Sequence, residues 1–172
     1  MTRGRFALGL GCLLAGTVCG CASSYAWKPS VPQEVRRVTV STFRNESDVS
    51  EAGAVATRQL LREIQREGTF RLCASDEAAL DIQGVVKSVS AATLAYDRRT
   101  GASAAAYECR ARVEVSVVDR RTRRVVISSR PYEASVGFTA REDLTTAMRD
   151  VTGRVMDDLS RRIVDDMLST KW

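Results

Sequence analysis

The chain has 172 residues, of which 44% are hydrophobic and 27% are charged, so its composition predicts one ordinary globular domain. It contains no histidine, which removes the commonest general base, the Ser-His and Cys-His nucleophile pairs and most zinc sites. The 11 glycines are scattered and form no phosphate-binding loop. The formal net charge of +5 is modest, and no aromatic residues interleave the arginine clusters. We therefore expect neither an enzyme active site, nor a cofactor, nor a nucleic-acid surface.

The first twenty residues form a segment of their own. Arg3 and Arg5 give a short basic head, and residues 6–18 are an apolar run. The run is shorter than the roughly 20 residues that cross a bilayer as a helix, which favours a cleaved signal peptide over a permanent span. We therefore predict that residues 1–20 are removed from the mature protein.

The end of this apolar run resembles the bacterial lipobox, since Val18, Cys19 and Gly20 precede Cys21. In that motif the thiolate of the last Cys receives a diacylglyceryl group, and small residues before it let the signal peptidase reach the bond. Two or three acyl chains anchor a protein stably, whereas one chain holds it only marginally. Cys21 is therefore the predicted lipidation site, and an ordinary secreted protein with a chance Cys is the alternative. No Asp follows Cys21 directly, which implies the outer membrane under enterobacterial sorting.

The mature chain would keep two further cysteines, Cys73 and Cys109. In an oxidising compartment they could form a disulfide, provided that their Cα atoms lie within ~7 Å of each other. Two independently buried thiols are the other possibility, and the sequence leaves both open.

Residues 21–35 have no periodicity, which predicts a tether leading from the lipid to a single domain over residues 36–172. The domain begins with a strand over residues 37–43, whose apolar residues alternate with period two. A helix with regularly spaced apolar residues follows, and Gly68 suits the position just past its C-terminus. A short extended piece at residues 70–73 completes this first unit.

A long β region comes next. Residues 79–94 change parity midway, which indicates a bulge or a strand buried on both faces. Residues 107–118 alternate cleanly between an apolar and a polar face, and residues 119–123 predict a hairpin turn. Residues 124–136 then form a third predicted strand. Its expected core residues are Val126, Tyr132, Ala134 and Val136.

The C-terminal segment predicts a long amphipathic helix that ends near residues 167–171. Thr139 and Glu142 have the spacing of a capping box, and apolar residues recur every three or four positions from Leu144 to Ile163. Two helices on one face of a mostly antiparallel mixed sheet of about four strands would make an α+β two-layer sandwich.

Four acidic residues on this helix resemble paired catalytic carboxylates at first sight. They lie opposite the apolar stripe and beside arginines, which favours a solvated, ion-paired face over a catalytic centre. These residues are Asp157, Asp158, Asp165 and Asp166.

Arginines mark both ends of the predicted meander. Arg98 and Arg99 lie in the turn between its first two strands, and Arg141 follows its third. Because adjacent strands are antiparallel, these loops emerge at the same end of the sheet and bring three cations together. Such a cluster could hold a lipid phosphate by bidentate hydrogen bonds, whereas merely exposed arginines are the alternative. A denser patch with the same two interpretations lies at the opposite end and comprises Arg120, Arg121, Arg123 and Arg124.

The order of these features resembles the LptE family of lipopolysaccharide-assembly lipoproteins. The resemblance covers nearly all of the mature chain and rests on order and spacing, not on one specific motif. One departure is that Ala22, Ser23 and Ser24 separate Cys21 from Tyr25, where family members often carry Gly-Tyr directly after the Cys. The matching elements are the lipidated Cys, Tyr25-Ala26-Trp27, Ser30-Val31-Pro32, a Val-Thr-Val strand leading into Phe43-Arg44-Asn45-Glu46-Ser47, a helix, Gly68-Thr69-Phe70-Arg71-Leu72, the meander and the C-terminal helix.

The resemblance implies an outer-membrane lipoprotein on the periplasmic side that is not an enzyme. Proteins of this family pair with the large β-barrel LptD, as plug and assembly factor, to insert lipopolysaccharide into the outer membrane. The resemblance also implies that Arg98, Arg99 and Arg141 lie in loops suspected of contacting lipid A or sugar phosphates.

A second group of envelope lipoproteins resembles the start of the domain. The LpoB- and CsgG-like proteins, which activate a peptidoglycan synthase or build a secretion pore, also begin with a Val-x-Val strand, a Phe-x-Asn turn and a helix. Three consecutive long strands with no helix inserted between them favour the LptE family instead.

Overall fold

The computed structural model describes residues 31–96, 104–139 and 143–172 of the chain. Its elements follow the predicted order of a short strand and helix, a long meander and a second helix. They are a 3-10 turn Gln33–Val35, β1 Arg37–Val40, β2 Arg44–Asn45, α1 Ala52–Glu67, β3 Arg71–Leu72, β4 Leu80–Tyr96, β5 Ala104–Asp119, β6 Val125–Phe138 and α2 Leu144–Ser169.

The six strands form one mixed sheet in the order β3-β1-β4-β5-β6, with β2 also beside β4. The short strands run parallel: β1 pairs with both β3 and β4, and β2 pairs with β4. The long strands pair antiparallel over most of their length, β4 with β5 and β5 with β6. The predicted α+β class and mostly antiparallel mixed sheet are confirmed, and the sheet has six strands where about four were expected.

The two additional strands are β2 and β3. Strand β3 lies within the short extended piece predicted at residues 70–73, whereas β2 follows the predicted strand over residues 37–43, which ends early at Val40. The backbone N–H of Phe43 donates to Thr57 Oγ1 of α1 at 3.0 Å, so this amide is not available to a neighbouring strand. The Thr57 hydroxyl in turn donates to the Gly53 carbonyl at 2.8 Å. Residue 53 is glycine at a point of close approach, because a Cβ there would lie only 2.5 Å from the carbonyl oxygen of Phe43. The break is therefore where the sheet docks on α1.

The start of the packed domain also differs from the predicted boundary at residue 36. Val31 is buried against the core, and its carbonyl accepts a hydrogen bond from Arg36 Nε at 3.0 Å. Packing therefore begins within the last part of the segment predicted as tether, residues 21–35.

Both helices bury their apolar stripes against one face of the sheet. Gly68 has a φ of 82° and its N–H donates to the Ile64 carbonyl at 3.1 Å, as expected just past the C-terminus of α1. Leu144, at the start of α2, remains 40% exposed. The buried stripe of α2 comprises Val151, Val155, Met156, Leu159, Ile163, Val164, Met167 and Leu168.

The start of α2 corrects the predicted capping pair of Thr139 and Glu142. The N-cap is Asp143, whose carboxylate accepts hydrogen bonds from the N–H groups of Thr145 and Thr146, both at 2.9 Å. Hydrogen bonds from Thr146 and Thr145 lower the pKa of the Asp143 carboxyl. Glu142 itself lies outside the described residues. The helix therefore begins one turn later than the capping-box spacing indicates.

The core residues of the meander follow the predicted parity except near the start of β6. In β5 the residues on the predicted apolar face from Cys109 to Val117 are buried. In β6 it is Ile127 that is buried, whereas Val126 is only partly buried. The register with β5 shifts between Val115 and Val117, near Ser129 with its φ of 38°. Such an irregularity reverses which residues face the core on its far side.

One polar contact connects the edge strand β6 to α2. The Tyr132 hydroxyl donates to Asp166 Oδ2 at 2.6 Å, and Arg130 forms an ion pair with the same carboxylate. Burial, followed by the bond to Asp166, raises the pKa of the Tyr132 phenol above its ordinary value of 10.0. The neutral hydroxyl is thus the form that the folded state favours.

Replacing Tyr132 with Phe is expected to lower the free energy of unfolding by about 1 kcal/mol at pH 7, because a hydrogen bond to a partly buried acceptor is lost. A raised pKa in the folded state means that the stability from this group is fully present below pH ~10 and is lost as the pH rises above it. The gap between wild type and Tyr132→Phe should therefore narrow above pH ~10. Urea unfolding at a series of pH values measures both effects.

An Asp166→Ala background supplies the control for this prediction. With the acceptor removed, Tyr132→Phe should cost clearly less at pH 7 than it does in the wild type. Equal costs in the two backgrounds would show that the hydrogen bond contributes nothing.

Candidate functional site

The described strand ends define a distal end of the sheet, where β4 ends at Tyr96, β5 begins at Ala104 and β6 ends at Phe138. The register aligns Thr93 with Tyr107, and Tyr107 with Phe138, across the three strands. The predicted cluster of Arg98, Arg99 and Arg141 lies outside the described residues, as does the predicted lipidation site Cys21. The described ends of the strands next to those arginines in the sequence lie together at this end of the sheet.

An open groove of about 570 Å³ lies at the distal end, between the sheet and the first turns of α2. We call it the distal groove and define it by six of its lining residues: Leu94, Tyr107, Phe138, Ala147, Asp150 and Arg154. Its volume lies within the ~300–1,000 Å³ range of ligand pockets. The sequence interpretation did not identify this groove.

The groove exists because the helix layer is incomplete over the distal end. Helix α1 packs on β2, β3 and β4, whereas α2 packs on β5 and β6. From Ser90 to Leu94 the side chains of β4 are exposed, and Leu94 keeps 60% of its surface accessible. A register shift between Thr93 and Ala95 accompanies this exposed stretch. The apolar end of β4 is therefore left without a covering helix.

Aromatic rings form the floor of the groove, and a cation lies at its side. Tyr107 and Phe138 are stacked, with ring centroids 5.4 Å apart and planes at 24°. Arg154 is exposed and makes no ion pair with any residue that the structure describes. Burial raises the pKa of the nearby Cys109 thiol above its ordinary value, and the positive charge of Arg154 offsets only part of this effect. The lining of the groove thus combines apolar side chains with an acid, Asp150, and an exposed guanidinium, Arg154.

The opposite end of the meander carries the second predicted arginine patch, in the turn between β5 and β6. Asp119 Oδ1 accepts hydrogen bonds from the N–H groups of Arg121 and Thr122, at 2.8 and 3.1 Å, and these bonds lower the pKa of its carboxyl. Arg120 donates to Ser75. The arginines of this turn are exposed, and none of them lines the distal groove.

Three of the four acidic residues of α2 that resemble paired carboxylates form ion pairs, and among the described residues the fourth, Asp165, has no such partner. Asp157 pairs with Arg161 at 2.5 Å and Asp158 with Arg162 at 2.9 Å, each one helical turn apart. Together with the Arg130–Asp166 pair, these contacts give a charged outer face and not a catalytic centre. In the described part of the chain, no group of three or more acidic or Cys side chains is placed to hold a metal ion.

The structure shows Cys73 and Cys109 as two free thiols, Cys109 buried and Cys73 partly buried. The Cys73 N–H donates to the Val38 carbonyl at 3.1 Å, next to the start of β4. Cys109 pairs instead with Ala91, eleven residues along β4 from the Val38 partner Leu80. At ~3.3 Å per residue this separation is tens of ångströms, far beyond the ~7 Å limit for a disulfide. The disulfide considered from the sequence is therefore not formed.

The described helices include none with the length and apolarity of a membrane span.

The chain has structural neighbours among proteins of low sequence identity. A minor lipoprotein of Acinetobacter baumannii aligns at 14% identity with a TM-score of 0.49, covering 78% of this chain and 92% of its own. A hypothetical protein of Chlamydia trachomatis aligns at 11% identity with a TM-score of 0.53, covering 78% and 96%. A protein of Xanthomonas campestris aligns at 10% identity with a TM-score of 0.50, covering 81% and 88%. At these identities the likeness concerns the fold alone.

Among curated proteins, none matches this chain significantly in sequence. The family described as LptE, lipopolysaccharide-assembly, matches residues 35–169, from the 3-10 turn to the last residue of α2. Because this match spans most of the chain and all six strands and both helices, the protein belongs to the LptE lipopolysaccharide-assembly family.

Proposed function

We propose that the chain is an outer-membrane lipoprotein that pairs with an LptD-like β-barrel protein, as plug and assembly factor, to insert lipopolysaccharide into the outer membrane. The family match over residues 35–169 is the observation that carries this proposal. Acyl chains on Cys21 would hold the domain at the periplasmic side of the membrane, and the mature chain would need no other anchor.

A role without catalysis agrees with the side chains of the domain. The chain has no histidine, and three of the four acids that resembled paired carboxylates are engaged in ion pairs with Arg130, Arg161 and Arg162. The uninterrupted β4–β5–β6 meander and the family match also favour this function over a peptidoglycan-synthase activator or a secretion pore.

The partner assignment can be tested on the native, acylated protein. Purification from detergent-solubilised outer membrane through a C-terminal tag should recover one large β-barrel protein in near-equal amount. Recovery of the tagged chain with no such barrel protein would refute the partner assignment.

The lipopolysaccharide contact is proposed to lie at the distal end, at Arg98, Arg99 and Arg141. Each guanidinium can bind a phosphate by two parallel hydrogen bonds. The strands that lead into and out of these positions end together, as the register of Thr93, Tyr107 and Phe138 indicates. This common end supports a single phosphate-binding cluster.

Replacing Arg98, Arg99 and Arg141 together with Ala is expected to weaken the binding of purified lipopolysaccharide at least about tenfold, equivalent to ~1.4 kcal/mol. The loss follows from removing charge-assisted hydrogen bonds to phosphate. Binding can be measured by co-purification of labelled lipopolysaccharide over a concentration series.

The turn at the opposite end supplies a matched control. Replacing Arg120, Arg121 and Arg123 with Ala removes the same number of charges from an exposed turn. This variant should bind lipopolysaccharide nearly as the wild type does. Equal losses in the two triple variants would indicate attraction by net charge alone, and no loss in either would refute the site.

A further inference from the structure

The outer edge of β4 is paired over only the first part of its length. Strand β1 pairs with residues 80–82, and β2 pairs with Val85 and Val86. The bond from the Glu46 N–H to the Val86 carbonyl, at 2.9 Å, ends this pairing. Beyond it β4 continues to Tyr96 with β5 on its other side, and no strand in the described part of the chain lies along the outer edge. We call residues 88–94 of β4 the open edge.

The backbone groups of the open edge point away from β5. Ala91 lies opposite Cys109, and Val86 lies opposite Val113, which has the same parity on β5. Alternate residues of an antiparallel strand direct their N–H and C=O groups to the same side. Because the Val86 carbonyl points outward to Glu46, the N–H and C=O of Ala91 point outward as well. The residues of the open edge with outward backbone groups are Val89, Ala91 and Thr93.

The open edge lacks the features that protect free strand edges from pairing, which are charged residues, Pro and local irregularities. The edge strand on the far side of the sheet, β6, has all three, since it contains Arg130, Pro131 and the positive φ of Ser129. The open edge reads Ser-Val-Ser-Ala-Ala-Thr-Leu, without a charge or a Pro, and its register with β5 is regular from residue 88 to residue 93. The preceding charge, on Lys87, is paired with Glu46 at 2.5 Å. The open edge is therefore suited to pair with a further strand.

The open edge is complementary to itself when two copies run antiparallel. With Ala91 at the centre, Ser90 lies opposite Ala92, and Val89 lies opposite Thr93. No like charges meet in this register, and the β-branched pair is a favourable cross-strand neighbour. The consecutive residues 90–94 point alternately to the two faces of the sheet and are all exposed. A second strand can therefore approach without meeting the described residues on either face.

We propose that the open edge pairs with the same edge of a second copy of this chain, antiparallel about a two-fold axis at Ala91, so that two six-stranded sheets join into one. The contact is short, and each backbone hydrogen bond adds little net free energy in water. The dimer is therefore weak and reversible. It concerns the chain outside its complex with a barrel protein and does not depend on the proposed function.

The test uses the full mature chain with Cys21→Ser, so that no acyl chains associate and no detergent is needed. Sedimentation equilibrium over a micromolar to millimolar concentration series measures the association. We expect a reversible equilibrium between monomer and dimer. A chain that stays monomeric at every concentration, or that forms only larger, irreversible assemblies, would overturn the proposal.

Ala92→Lys and Ser135→Lys form a matched pair of variants. Both positions are exposed, but Ala92 lies on the open edge and Ser135 lies on β6. In the proposed dimer the two copies of residue 92 are diagonal neighbours on one face, so two lysines would repel each other. Ala92→Lys should raise the dissociation constant of the dimer at least about tenfold, and Ser135→Lys should leave it unchanged. Equal effects of the two substitutions, or no effect of Ala92→Lys, would overturn the proposal.

Two cysteine variants test the register of the pairing. Two copies of residue 91 would form a hydrogen-bonded antiparallel pair with Cα atoms ~5.5 Å apart, within the range that a disulfide spans. In a Cys73→Ser background, which removes the partly buried native thiol, Ala91→Cys should form a disulfide-linked dimer under mild oxidation. Ser135→Cys in the same background should not. Equal yields from the two variants would overturn the proposed pairing.

The same variants distinguish a second copy from other strands that could occupy the open edge. Urea unfolding of a dilute, monomeric sample should show Ala92→Lys to be about as stable as the wild type. A large loss of stability in the monomer would mean that another segment of this chain covers the edge. A wild type that stays monomeric, together with an Ala92→Lys variant that no longer recovers the barrel protein from membranes, would assign the edge to that protein. Either result would overturn the proposal.

Discussion

Replacing Cys21 with Ser, behind a leader that the ordinary signal peptidase cleaves, is expected to move the purified mature chain from the detergent phase to the aqueous phase of a Triton X-114 separation. Each buried methylene of an acyl chain contributes ~0.8 kcal/mol, so two or three chains hold a protein firmly and their loss is a large effect. The described domain has no helix that spans a membrane. Phase partition of the purified protein is independent of any barrel partner.

The control for this prediction is Cys19→Ser behind the native leader. Cys19 directly follows Val18 and lacks the small residues that precede Cys21, so this variant should remain in the detergent phase. The mass of the N-terminal peptide should show an acylated Cys21 in both the wild type and the control. A Cys21→Ser chain that stays in the detergent phase would contradict the predicted anchor.

Gly84→Ala is expected to lower the free energy of unfolding by about 3 kcal/mol, because a Cβ at this position would overlap the ring of Phe43. The ring cannot move away easily. It is only 4% exposed, and the backbone of Phe43 is bound to Thr57 on α1. Denaturation by urea, followed by circular dichroism, measures the change.

Gly137→Ala is the matched control on β6, since the nearest atom to a Cβ there is the Tyr107 carbonyl oxygen at 3.9 Å, an ordinary contact. It should change stability little. In a Phe43→Leu background the smaller side chain leaves room, so Gly84→Ala should cost at least about 1 kcal/mol less than in the wild type. Additive effects of Phe43→Leu and Gly84→Ala would contradict a steric overlap between the two positions.

The regular parts of the fold could be predicted from the sequence because one pattern dominates each of them. Strand β5 alternates strictly between a buried and a polar face, and α2 repeats its apolar residues every three or four positions. The break after β1 could not be predicted, because the amide of Phe43 is bound by Thr57 on a different element. The change of parity near Ser129 likewise depends on pairing with β5.

The start of α2 illustrates a different difficulty. Thr139 and Asp143 are both acceptable N-cap residues, and the spacing of Thr139 to Glu142 favoured the earlier one. Asp143 is the residue that actually caps the helix, through the N–H groups of Thr145 and Thr146. Local sequence alone does not decide between two N-cap residues one helical turn apart, because the choice depends on where β6 ends and α2 packs.

The candidate site, too, could be predicted from the sequence only in part. Alternating antiparallel strands place the positions before and after the meander turns at one end, so a common end for Arg98, Arg99 and Arg141 follows from strand order alone. The distal groove does not follow from it. Its existence depends on α1 not reaching the end of β4, and Arg154 belongs by periodicity to the polar side of α2. In the sequence, only the bulge expected within residues 79–94 lies near this groove.

Crosslinking in cells tests the proposed pairing of this protein with an outer-membrane β-barrel most directly. A photocrosslinking amino acid can be placed at exposed positions on two faces of the domain, at Ser90 and Ser135 on the sheet and at Arg58 on α1. After irradiation of intact cells, mass spectrometry identifies the crosslinked partner. We expect one large outer-membrane β-barrel protein as the main product from at least one face; products containing only a peptidoglycan synthase, or only further copies of this chain, would contradict the claim.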